Sequence, residues 1–162
     1  ALRLARSSPE AQALTCEAMS RVVAEEDRGA ELLEVGAAEA VAEEMLLGSA
    51  SDPGLQRAGC EALGALALGR PDDRAAFPVA PAIAASVAAL RSHGAFPWVC
   101  RAALDVLAIL LGSCSGEEAR QAAEEARCWQ AAVAALRGHP QNRRVVQGAT
   151  RIMELLAGCV AE

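Results

Sequence analysis

Apolar positions along this chain recur at intervals of three and four. Ala58, Ala62, Leu63 and Leu66 form one such stripe, and Ala102, Val106, Leu107 and Leu110 form another. That period places each stripe on one side of an α-helix, as the buried face of an amphipathic segment. Four long helices are predicted on this basis, over 9–24, 53–68, 97–111 and 142–160. Pro9, Pro53 and Pro97 open the first three, where proline's missing N–H costs nothing, and Ser8 and Asp52 precede two of them as N-caps. Medium helices are predicted over 37–47, 81–92 and 128–137, and short ones over 27–34, 72–77 and 116–126. Ser115 and Glu118 supply a capping box for the last of these.

The pattern also repeats as a whole. Thr15-Cys16-Glu17-Ala18-Met19 is echoed by Gly59-Cys60-Glu61-Ala62-Leu63, then by Ala103-Leu104-Asp105-Val106-Leu107 and Ala149-Thr150-Arg151-Ile152-Met153, at steps of 44, 44 and 46. The prolines at 9, 53 and 97 keep the same step independently. A second register runs between the long helices: the residues from Val87 to His93 match those from Val133 to His139, and Ala1-Leu2-Arg3 matches Ala89-Leu90-Arg91. A fixed period of this size marks a repeat array in which each unit buries its apolar face against the next. The units are expected at 1–26 (partial), 27–70, 71–113 and 114–162, as one array. The half helix at the start suggests a fragment of a longer protein.

Composition narrows the class. Of 162 residues, 39 are alanine and 19 leucine, whereas aromatics make up 2%. A hydrophobic share of 53% excludes a disordered chain, and the scarcity of aromatic and β-branched residues disfavours an all-β fold. All 15 basic residues are arginine, and the 21 acids leave a net charge of −6, which argues against nucleic-acid binding. The most apolar window, 75–90, contains Pro78 and Pro81 and is too short to cross a bilayer; no signal peptide is visible and no membrane partner is expected. The six cysteines include no CxxC pair, and most sit among helix-forming apolar residues. They read as small buried hydrophobes in a reducing, cytoplasmic setting, with no metal and no cofactor.

The triplet of short, medium and long helices, the period, and Ala62-Leu63-Gly64-Ala65-Leu66-Ala67 near the end of a long helix resemble the armadillo repeat, with the two-helix HEAT repeat as its near neighbour. Glu34-Val35-Gly36-Ala37-Ala38 resembles the glycine bend that leads into the family's second helix, while Ala80 and Ala126 stand in the glycine's place in later units. The resemblance implies an all-α, right-handed α-solenoid of about three and a half repeats, acting as a non-catalytic protein–protein interaction scaffold through its concave groove or convex face. A second function stays open: a regulatory or oligomerising C-terminal repeat domain of a larger enzyme, such as a kinase-like protein, with weak self-association. The tryptophan–asparagine ladder by which nuclear-import adaptors of this family grip peptides is missing. Its positions hold Glu17, Glu61, Asp105 and Arg151, and Arg21, Ala65, Ile109 and Leu155.

Glu17, Glu61 and Asp105 thus share one register. If the repeats stack, they form an acidic column on the groove side that steers a basic protein or peptide to it. Arg21 and Arg151 join them as candidate partner-binding residues. The competing reading is ordinary solvated surface, because Arg57–Glu61 and Arg101–Asp105 are i,i+4 pairs. His93 and His139 are expected at helix C-termini, against terminal carbonyls. Trp98 and Trp129 fall in different registers, each a local core residue or an exposed anchor. Nothing points to catalysis: the glycine–serine stretch at 112–116 lacks a phosphate loop's lysine, and no serine has a histidine placed by a motif.

Overall fold

In the computed structural model the described residues are 8–26, 28–47, 52–69, 77–113 and 117–158, and among them every regular element is a helix. In order these are α1 (Pro9–Glu26), α2 (Gly29–Glu34), α3 (Ala37–Leu47), α4 (Pro53–Leu68), α5 (Val79–Ser92), α6 (Pro97–Ser113), α7 (Glu117–Glu125), α8 (Cys128–Gly138) and α9 (Arg143–Gly158).

Local chemistry accounts for the starts. Asp52 Oδ1 accepts a hydrogen bond from the Leu55 N–H at 2.7 Å, with Pro53 in the first helical position. Ser8 Oγ accepts from the Ala11 N–H at 3.4 Å ahead of Pro9, and Asn142 Oδ1 from the Val145 N–H at 3.3 Å ahead of α9. Each satisfies a donor that the helix itself leaves without a partner. α5 begins two residues before the predicted 81, because Pro81 fits inside a first turn whose N–H groups have no helical acceptor. Of the short helix predicted over 72–77, all but Phe77 lies outside the described residues; Phe77 is buried in a bend before α5. Ser115 of the expected capping box also lies outside them.

The bends into the medium helices correct one expectation. Gly36, at φ 78°, takes the left-handed conformation before α3, as glycine does without penalty. The second left-handed residue is Arg127, at φ 55° before α8, and not Ala126; Ala80 is helical within α5. The two bends share one hydrogen bond: the left-handed residue donates to the carbonyl three positions back, Gly36 to Leu33 and Arg127 to Glu124, both at 2.9 Å. Geometry therefore places the glycine position at 127, one residue beyond the site read from sequence.

The helices pack in two rows. Each long helix lies against the next, α1 on α4, α4 on α6 and α6 on α9. Each medium helix lies against the long helix that follows it, and α5 also touches α3, α7 and α8. Between the rows Leu55, Leu63, Leu66, Ile83, Leu104, Leu107, Leu110 and Ile152 are fully buried. Ala58, Ala62, Ala103 and Ala149 are fully buried among them. At Gly148 even a methyl group would meet Leu104 Cβ at 3.0 Å, so α9 needs glycine there to lie this close to α6; the equivalent positions 58 and 102 hold buried alanines. Gln56 is buried too, and its Nε2 donates to the Met45 carbonyl at 2.8 Å, tying α4 to the end of α3.

Cys16, Cys60, Cys100 and Cys128 are free and buried; Cys114 and Cys159 lie outside the described residues. Burial pushes the Cys60 and Cys128 thiols up to about 12 and Cys16 to about 11, so they persist as neutral thiols in the packing. Among the described residues no helix is long and apolar enough to cross a membrane.

Candidate functional site

The repeating long helices bring Glu17, Glu61 and Asp105 into one row, and arginines interleave with them. Arg57 on α4 donates through Nη2 to Glu17 Oε1 on α1 and through Nη1 to Glu61 Oε2 on its own helix, both at 2.5 Å. Partial burial opposes the Arg57 charge, and the two glutamates outweigh it, so its pKa is raised. One repeat further on, Arg101 Nη2 on α6 lies 3.7 Å from Glu61 Oε1, an ion pair too long for a hydrogen bond. The Arg101 Nε is shielded from solvent and has no acceptor. The order of charges across three helices is therefore Glu17, Arg57, Glu61, Arg101, Asp105. Glu17 and Glu61 each meet the arginine four positions before the equivalent acid on the next long helix.

Asp105 closes this order without a matching arginine, because the equivalent position on α9 is Gln147. Partial burial pushes the Asp105 carboxyl above its ordinary value, Arg101 and Arg144 pull it back, and Glu61 pushes it up again. Between α6 and α9 a cavity of about 380 Å³ opens here, lined by Arg101, Asp105, Arg143, Arg144, Gln147 and Gly148. Gly148 keeps α9 close to α6 beside it, since a Cβ there would already crowd the buried Leu104. Three guanidinium groups face one carboxylate. Arg143 and Arg144 are exposed in the first turn of α9 and make no salt bridge to any described residue. The lining has no serine, cysteine or histidine to act as nucleophile or base, and an abundance of donors suited to oxyanions. Among the described residues no group of three or more histidine, cysteine, aspartate or glutamate side chains is placed to hold a metal ion.

The other candidates lie apart from this row's pairing. Arg21 pairs with Glu25 on α1 at 3.4 Å, and Arg151 lies 3.8 Å from Glu154 on α9; all four side chains are largely exposed. The histidines do meet the ends of medium helices, but His139 does so across units: its Nε2 lies 2.7 Å from the Gly94 carbonyl, just beyond α5. His93 is buried as the residue that ends α5. Trp98 and Trp129 are both exposed, Trp98 against Phe96 at 5.4 Å and Trp129 beside a second cavity of about 240 Å³ with Arg120, Arg127 and Leu156.

Sequence reasoning found the shared register of the acids and missed two things. It treated Arg57 and Arg101 as partners of their own helices only, although the constant step of 40 from Glu17 to Arg57 and from Glu61 to Arg101 carried the cross-helix signal. It also passed over Arg143 and Arg144, which no earlier unit repeats. Against known proteins, the chain matches no family model, no curated protein and no solved structure.

Proposed function

We propose that this chain is a non-catalytic protein-interaction scaffold, an armadillo-like right-handed solenoid that holds its partner along the face of the long helices. The successive packing of α1, α4, α6 and α9, with the medium helices as a second row, supports the solenoid. One observation carries the binding reading: the row of matched charges runs across three long helices and stops at an open, donor-rich cavity on the fourth. A partner lying across the long helices meets neutralised, ordered surface first and unmet hydrogen-bonding capacity at the end. This differs from the expectation of a basic partner. Two of the three acids already hold arginines of this chain, so little free negative charge remains to attract one.

The test places a photocrosslinking amino acid either at Gln147, on the cavity, or at Glu43, exposed on α3. In cells expressing each variant, position 147 is expected to give a discrete adduct with another protein, and position 43 none. Equal adducts at both positions, or none at either, would overturn the assignment of binding to the long-helix face.

A further inference from the structure

We infer that the cavity between α6 and α9 is a subsite for an acidic side chain, and that the partner segment it takes is a short carboxylate-rich peptide. The inference rests on the scaffold reading and gives the partner its chemistry. The argument begins with donor supply. Arg57 has both terminal nitrogens committed to carboxylates at 2.5 Å. Arg101, its equivalent one repeat on, forms a long ion pair with Glu61 at 3.7 Å and feels the Asp105 charge, and its Nε has no acceptor among the described residues. Buried donors without acceptors are rare in folded proteins, because each forfeits the hydrogen bond it had with water. Arg143 and Arg144 add two guanidinium groups with no ion pair to a described residue, and the Gln147 carboxamide adds an uncharged donor. Asp105 answers only one of these charges.

An incoming carboxylate completes this arrangement, because Arg101, Arg143 and Arg144 all line the cavity beside Asp105. Arginine's planar fork suits this, since it holds a carboxylate through two parallel bonds. A cavity of about 380 Å³ lies at the small end of the ~300–1,000 Å³ typical of ligand sites, enough for one or two side chains and no more. A basic side chain aimed at Asp105 would instead meet three like charges. The surrounding surface limits the length of the ligand. The chain as a whole carries −6, so a long polyanion that reached beyond the cavity would meet net repulsion, whereas a short segment stays within about one Debye length, ~8 Å, of the arginines.

The test titrates the isotope-labelled chain with three synthetic peptides of equal length, one rich in glutamate, one with glutamine in place of glutamate and one rich in arginine, and with a single-stranded oligonucleotide. Backbone amide shifts are followed by NMR. The glutamate peptide alone is expected to bind, with shifts concentrated at Arg101, Asp105, Arg143, Arg144 and Gln147, and with affinity that falls as salt is raised. The double variant Arg143→Glu, Arg144→Glu changes only exposed side chains and is expected to keep the parent melting temperature while weakening the peptide at least tenfold. Single Arg143→Gln and Arg144→Gln variants, milder in charge, should each weaken it less. Preference for the arginine or glutamine peptide, tighter binding of the oligonucleotide, absence of binding, or equal affinity in the charge-reversed variant would each overturn the inference. Adduct formation at position 147 together with any of these results would leave the scaffold standing with a different ligand.

Discussion

Two junctions between long helices use the same residue positions and reach opposite outcomes. At α1–α4 an acid at position 17 faces an arginine at 57, and the arginine is held from both sides. At α6–α9 an acid at position 105 faces Gln147, and the space stays open. Both junctions bury apolar side chains, Cys16, Met19 and Val23 from α1 at the first and Val145, Ala149 and Ile152 from α9 at the second. At the surface they differ by one side chain in the interleaved row and two arginines at the start of α9. One incomplete rung thus leaves an open cavity where the preceding long helices make a structural contact.

If the two junctions differ only at their surface, cutting their interiors should cost the same. Leu63 and Leu107 are both fully buried at equivalent places. Leu63→Ala and Leu107→Ala are each expected to lose ~2–5 kcal/mol, and to agree with one another within about 1 kcal/mol in urea denaturation. A much smaller loss at Leu107 would mean that the α6–α9 end is loosely packed, and the open cavity would then reflect poor packing and not a missing rung.

The next contrast lies in the row itself. Arg57→Ala is expected to cost about 1 kcal/mol, because it strands two glutamates that belong to different helices. Arg101→Ala is expected to cost about 0.3 kcal/mol or less, since its one ion pair is long and partly exposed. A double-mutant cycle between Glu17 and Arg57 measures the cross-helix share directly, and it should shrink in high salt. Equal costs for the two arginines would erase the distinction between closed and open junctions.

The smallest effect concerns Asp105. Its folded-state pKa lies above the ordinary 3.8, so the folded chain holds this proton more tightly than the unfolded chain. The favourable contribution is complete below 3.8 and is lost as pH rises through the shifted value, leaving the ionised group mildly destabilising at neutral pH. Asp105→Asn should therefore flatten the stability profile just above pH 3.8 and leave neutral-pH stability equal or slightly higher. A loss of stability in Asp105→Asn at neutral pH would show that Arg101 and Arg144 dominate, and that the junction is closed after all.

Sequence periodicity made the helices legible because burial and period are coupled: Leu63 and Leu107 recur where only a helix puts them inside. It made the acids legible because they sit at fixed places in the repeat. Their partners were obscure for a physical reason. The i,i+4 rule pairs residues along one helix, whereas Arg57 reaches Glu17 by the rotation of one helix against another, a quantity set by packing. Arg143 and Arg144 follow no period and gain meaning only from the cavity beside them. Arg127 shows a third limit, since a left-handed bend is a backbone fact and its residue need not be the glycine that announces it.

The alternating row has one further consequence, for alignment. α1 turns Cys16, Met19 and Val23 inward, and their packing against α4 is the first thing that sets its register. The Glu17–Arg57 contact adds a polar penalty to any slip by one turn. A shift of α1 by four residues in one direction would set Arg21 against Arg57, charge against like charge; a shift in the other would offer only Ala13. The charges thus work alongside the apolar packing. They add little to how tightly the two helices hold, and they disfavour the settings one turn away.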